Sequence, residues 1–409
     1  MGGLEAFGWF FNGFNRRGDV LKMNKKEISH IRRQFKPENE HLTIDDIFTV
    51  YVQKETGDIY HHETNPFNML EKETQDLFLD NFKKTLTGTV DAKLFTLKFK
   101  REEGIDNLTQ NILYEGLHTK DKDEWQNHML EIVEKIYAEK VYDFDTVVTF
   151  IQGDYSKPVH KRESESDMGG NDTVYSNKFI LCSVNKTDQP ESSFTFDYIE
   201  KAFKASHDVD PIINLTKPLT GFLFPAFHDY ASDVNHILYS AGKANEPDEA
   251  FIDAILECDV VMTAAENKDS FELVVNKLAG DKVNATMLSN IYEEIDQILE
   301  ESKEDEDSEV PDLDYNDVEH ILSVSGVEDV DTEKVKETFQ TIFDDEQHAF
   351  KADSLLPKKV KINTETTKIS IDPKHLKDVK YITYEGKRCL LLEIGDDVEI
   401  EGFVLDSTP

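Results

Sequence analysis

The run His228-Asp229-x3-Asp233-x2-His236 comes nearest, by residue type and spacing, to a reaction centre. The apolar positions Val234, Ile237 and Leu238 predict a helix over 229–239. Asp229, Asp233 and His236 then stand at i, i+4 and i+7 on one face. Carboxylates and an imidazole so placed bind a divalent metal or work as an acid–base pair, with His228 as a further donor. The same residues have a plainer use. Asp229 or Ser232 makes an ordinary N-cap, and aspartates near a helix start are favoured by its dipole. His228, Asp229, Asp233 and His236 are the catalytic candidates; no metal site is assigned to them and no cofactor is expected.

The remaining polar clusters carry less. His61-His62 lies in a predicted strand, where successive side chains point to opposite faces and do not share a metal. Asp312-x-Asp314-x-Asn316 begins like a calcium loop, but Asp317 stands where the loop needs Gly and Ser323 where it needs Glu. Gly169-Gly170, with Lys157, Lys161 and Arg162 nearby, has the composition of an anion grip and equally of a plain flexible loop. No GxxxxGK[ST], strand-linked GxGxxG, GxSxG or HExxH occurs.

Positioning elements for any such site come from a chain of 409 residues with 45 Lys/Arg against 83 Asp/Glu, a net charge of −38. That balance disfavours direct DNA binding, because the phosphate backbone is repelled. The charge is uneven. Residues 14–36 hold eight basic and two acidic side chains, 358–388 nine and four, and 293–319 fourteen acids and one lysine. Cys182, Cys258 and Cys389 sit in apolar runs, with neither disulfide nor zinc spacing, as buried thiols of a reducing compartment do. No stretch reaches the ~18 apolar residues of a spanning helix. Residues 4–14, LEAFGWFFNGF, lack the preceding basic charge of a secretory signal and otherwise read as a short amphipathic anchor. The codons for Arg16-Arg17-Gly18-Asp19 can read like a ribosome-binding site, so Met23 is expected to be the natural start and 1–22 a non-native or disordered extension.

The pattern predicts an α+β protein. A mixed N-terminal domain is expected over 23–140, with a helix at 24–35 and a strand at 46–53 turning into Ile59-Tyr60. Next comes a helix with Leu77, Phe78, Phe82 and Leu86 on its face, and then one over 123–139. A central β-containing domain over 141–245 holds the apolar runs TVVTFI, KFILCSV and TGFLFPAF, with an exposed loop at 153–174. A helical segment over 246–356 includes helices starting near Pro247, Ser270 and Met287, an acidic linker at 300–317, and a helix at about 332–345. Residues 357–409 read as a C-terminal antiparallel β-meander with turns at Glu385-Gly386 and Gly395-Asp396-Asp397.

The segments MNKKEISHIRRQF, KTLTG, KFILCSV, TGFLFPAFHDY, FELVVNKLAGDKVNATMLSNIYEEI and GKRCLLLEI together resemble a bacterial domain-of-unknown-function family, number 4317, typical of low-GC Gram-positive bacteria. The resemblance runs from about Met23 to Val404 and implies a cytoplasmic bacterial protein; it transfers no catalytic or binding residue. The leading expectation is a non-enzymatic protein-binding or adaptor protein. The first alternative is a metal-dependent hydrolase centred on Asp229, Asp233 and His236. The second is an RNA- or ribosome-associated factor using the basic N-terminal helix and the 153–174 loop.

Overall fold

The computed structural model describes residues 23–101, 107–158, 174–188, 193–197, 199–206, 210–228, 231–303, 310–393, 399–400 and 403–404. Two compact units divide the chain between Val261 and Met262. The expected extension, residues 1–22, lies outside the described residues.

The first unit is built on one antiparallel sheet. Its strands in chain order are β1 (Leu42–Val52), β2 (Ile59–Pro66), β3 (Leu94–Lys98), β4 (Thr146–Pro158), β5 (Val174–Asp188), a small pair β6 (Ser193–Asp197) and β7 (Ala202–Ser206), β8 (Ile212–Ile213), β9 (Thr220–Phe224), β10 (Ala226–His228), β11 (Ala231–Asp233) and β12 (His236–Ser240). The sheet runs β2-β1-β4-β5-β9-β12-β3, with β8 on β5. It therefore takes strands from both sides of position 140, where the sequence pattern suggests a boundary.

Among the described residues four helices cover it: α1 (Lys25–Gln34), α2 (Lys72–Thr85), α3 (Leu108–His118) and α4 (Lys122–Glu139). Strand alternation explains the arrangement. Ile180, Cys182 and Val184 of β5 pack with Trp125, Met129 and Ile132 of α4 in one core. Phe179 and Leu181 pack with Ile31 of α1 and Phe82 of α2 in the other. Strands buried on both faces read as continuous apolar runs, which is why TVVTFI and KFILCSV stand out. Met23 is buried, and its amide donates to Thr96 Oγ1 of β3 at 3.1 Å, seating the start of α1 on the sheet.

Local chemistry overrides several expectations here. Residues 153–158 continue β4, paired with β5 through Pro158↔Val174, instead of opening a loop; Lys161, Arg162, Gly169 and Gly170 lie outside the described residues. Leu77 is exposed and Leu79 takes the buried position in α2. The helix expected after Pro247 is a π-helical turn at Phe251–Ile255. His61 and His62 do stand in a strand, β2, opposite Tyr51 and Val50 of β1.

The second unit is helical at its centre: α5 (Ala264–Ala279), α6 (Ala285–Lys303), α7 (Tyr315–Val324), α8 (Thr332–Phe343) and α9 (Ala352–Leu355), with β13 (Asp312–Leu313) paired to β14 (Phe350–Lys351). Helix α5 starts at a capping box of Thr263 and Glu266, well before Ser270. The stretch 300–317 is only partly a linker. Helix α6 runs on to Lys303, and Asp314 with Asp317 forms the capping box of α7, so the aspartates of the supposed cation loop serve a helix start. The C-terminal strands make three separate pairs, β15 (Val360–Asn363) with β16 (Lys368–Ile371), β17 (Val379–Tyr384) with β18 (Lys387–Leu392), and β19 (Glu399–Ile400) with β20 (Phe403–Val404). A 3-10 segment at Pro373–Asp378 stands between β16 and β17 and breaks the expected meander.

Candidate functional site

The four candidate residues are not on a helix. His228 ends β10, Asp233 ends β11 and His236 opens β12; Asp229 lies outside the described residues. Asp233 Oδ1 accepts the Asn235 amide at 2.9 Å, closing a tight Asx turn between β11 and β12. The turn brings Asp233 and His236 together by a route other than helical spacing: His236 Nδ1 donates to Asp233 Oδ2 at 2.6 Å. Burial alone raises the Asp233 carboxyl. Hydrogen bonds from His236 and from the backbone and side chain of Asn235 outweigh it and hold the group below its ordinary value.

With Nδ1–H committed to Asp233, neutral His236 offers Nε2 as an acceptor. Among the described residues that atom is buried and meets no hydrogen-bond donor, and His236 as a whole is only 7% exposed. A carboxylate-oriented imidazole is the base half of a nucleophilic centre, but among the described residues no hydroxyl or thiol hydrogen-bonds this one.

His228 faces α1, where its Nδ1 is 3.9 Å from Glu27 Oε1. Glu27 is also engaged in the α1 capping box, its Oε2 accepting the Asn24 amide at 2.8 Å. On the same helix His30 Nδ1 lies 2.6 Å from Tyr155 Oη of β4. Glu27, His30 and Tyr155 were invisible to spacing arguments, since their meeting depends on how α1 seats on the sheet. Among the described residues, no three His, Cys, Asp or Glu side chains gather as a metal cage.

Two further polar groupings in this unit tie elements together. Glu257 Oε2 accepts the Leu108 amide at 2.9 Å at the start of α3, and its other oxygen meets Lys135 of α4. Asn81 of α2 donates to Asn185 Oδ1 at 2.7 Å, and Thr85 to Ser183 Oγ at 3.2 Å, pinning α2 to β5. Cys182 and Cys258 are buried, and burial pushes both thiols up, away from the reactive thiolate.

The second unit offers the opposite surface. Strands β17 and β18 pair from Val379↔Leu392 to Tyr384↔Lys387. Glu385 and Gly386 close them with positive φ of 46° and 74°, the conformation a two-residue hairpin turn demands. Tyr381 is 68% exposed, Tyr384 62% and Leu391 48%, with Ile382 and Leu392 also open. Just before the hairpin, Lys374 Nζ meets Asp296 Oδ2 at 3.1 Å and Lys377 Nζ meets Glu293 Oε1 at 3.0 Å. The basic C-terminal segment is thus pinned to the acidic face of α6 at its base and left open beyond it. Among the described residues, no helix is long and apolar enough to cross a membrane.

A family described as a domain of unknown function (DUF4317) matches residues 23–403, nearly the whole chain. No curated protein matches it.

Proposed function

The chain belongs to this domain-of-unknown-function family (DUF4317), and from that premise we propose that it is a non-enzymatic protein-binding or adaptor protein of the bacterial cytoplasm, working through the β17–β18 hairpin. The observation that carries the reading is the apolar exposure of Tyr381, Ile382, Tyr384, Leu391 and Leu392 on one two-stranded element. An isolated hairpin is marginal in water, and clustered aromatic and aliphatic surface marks interaction sites. Large exposed aromatics are the residues that dominate interface energetics.

The hydrolase alternative has less support. Asp233 Oδ2 is engaged by His236, and among the described residues the buried imidazole's Nε2 has no hydrogen-bond partner. The RNA alternative draws on one specific observation, the company of Lys380, Lys387 and Arg388 with Tyr381 and Tyr384.

Purification of the whole chain from native cells at physiological salt separates these readings, comparing wild type with a Tyr381→Ser/Tyr384→Ser/Leu391→Ser variant and with His236→Ala. The protein-binding reading expects a stoichiometric protein partner, lost in the hairpin variant and kept in His236→Ala. Co-eluting nucleic acid lost with the hairpin would replace it by the RNA reading. Bound metal lost with His236→Ala would replace it by the hydrolase.

A further inference from the structure

We propose that the hairpin's partner is an extended acidic segment of another protein, added as a third strand along one edge, with its carboxylates on the face that carries Lys380 and Lys387 and its apolar side chains on the face that carries Tyr381 and Leu390. This rests on the protein-binding reading above and gives the partner its chemistry.

Directly opposed residues of an antiparallel pair share a face. One face of the hairpin therefore carries Lys380/Leu391, Ile382/Cys389 and Tyr384/Lys387, and the other carries Val379/Leu392, Tyr381/Leu390 and Thr383/Arg388. The first has a lysine at each end of an apolar middle. The second is apolar until Arg388 at the turn. A strand alternating acid with aliphatic residues matches both at once, because its side chains also alternate faces.

The backbone is ready for it. In a two-stranded sheet each strand keeps one edge of unpaired N–H and C=O groups, and an added strand satisfies them while pockets read its side chains. Charge points the same way. Between Val379 and Leu392 the only acid is Glu385, against Lys380, Lys387 and Arg388. Among the described residues none of these three has a carboxylate partner, whereas Lys374 and Lys377 at the hairpin's base are both paired. In a chain with 83 acids and 45 bases, a stretch cleared of acids favours an acidic visitor. The aliphatic share of the surface, Ile382, Leu391 and Leu392, favours a peptide over a phosphate backbone.

The test titrates the full chain with an eight-residue peptide alternating glutamate and valine, with its lysine–valine counterpart, with the acidic peptide N-methylated at alternate amides, and with oligouridylate. The acidic peptide is expected to bind, and the lysine and N-methylated peptides to bind about tenfold or more weakly. Lys380→Glu/Lys387→Glu, two exposed changes, should invert the preference between the charged peptides. Equal binding of the two charged peptides, no binding of the acidic one, or tighter binding of oligouridylate would overturn the proposal. A native protein partner lost in the hairpin variant yet not displaced by the acidic peptide would also overturn the third strand, while leaving the protein-binding reading standing.

Discussion

Phe222 and Tyr381 are both aromatic residues on β-strands, and the two units treat them oppositely. Phe222 lies on β9, the fifth strand along the larger sheet, and meets Phe150 edge-on at 6.4 Å within a closed core. Tyr381 lies on a hairpin of two strands and is mostly open to water. The acid–base groups divide in the same sense. Half-buried Asp233 and buried His236 are paired through Nδ1 in the first unit, while Lys380, Lys387 and Arg388 stand out on the second. Polar groups that are satisfied and buried stabilise a fold. Exposed apolar groups flanked by unpaired charge stabilise nothing until something covers them. That contrast, more than any motif, is what the proposed docking surface rests on.

The comparison breaks first if the closed core is not what holds the first unit. Phe222→Ala should cost about 3–5 kcal/mol in urea unfolding, as buried aromatic truncations do. A loss below about 1 kcal/mol would mean that the core is loosely packed. Asp233→Ala should cost about 1–3 kcal/mol, because it strands the Nδ1–H of a buried histidine and frees the Asn235 turn.

A smaller and pH-dependent effect belongs to the second unit. His348 stacks on Phe343 at 3.8 Å and meets Phe350 and Phe339 edge-on, and burial holds its pKa below the ordinary value. The neutral ring is the folded form, so the unfolded chain takes up its proton first. The stabilising contribution is full above about pH 6.5 and is lost as pH falls below that. Melting of the second unit should therefore drop on acidification through this range, and His348→Phe should flatten the drop. Smallest of all, Tyr381→Ser/Tyr384→Ser/Leu391→Ser should move stability by no more than about 0.5 kcal/mol per site, since surface changes away from packed features rarely do more.

How much of this the residues declare by themselves depends on whether a pattern is local. Trp125, Met129, Ile132, Val133 and Ile136 recur at helical spacing and form the buried face of α4 as expected. Phe179 to Cys182 form an uninterrupted apolar run, resumed at Val184 after Ser183, because both faces of β5 are covered. The 229–239 segment misleads for the same reason. Ile237, Leu238 and Tyr239 are buried on alternate sides of β12, and a short apolar run of that kind does not distinguish strand from helix. The Asp233–His236 contact survives that error because an Asx turn also brings positions three apart together. Glu27 with His228, and His30 with Tyr155, could not be read at all, as their pairing is set by the docking of α1. The hairpin is legible as two strands and a turn, but its exposure is not: Tyr381 and Leu391 look like core residues until the structure shows them open to water.

The hairpin, and not the Asp233–His236 pair, is the proposed place where the protein meets its partner. This is tested most directly by titrating the co-purified partner against wild type, the triple hairpin variant and Asp233→Ala, each first shown to be folded. Affinity should weaken by about a hundredfold or more in the hairpin variant, as loss of clustered anchors does, and stay unchanged within about twofold in Asp233→Ala. Full affinity in the hairpin variant with loss in folded Asp233→Ala would contradict that placement.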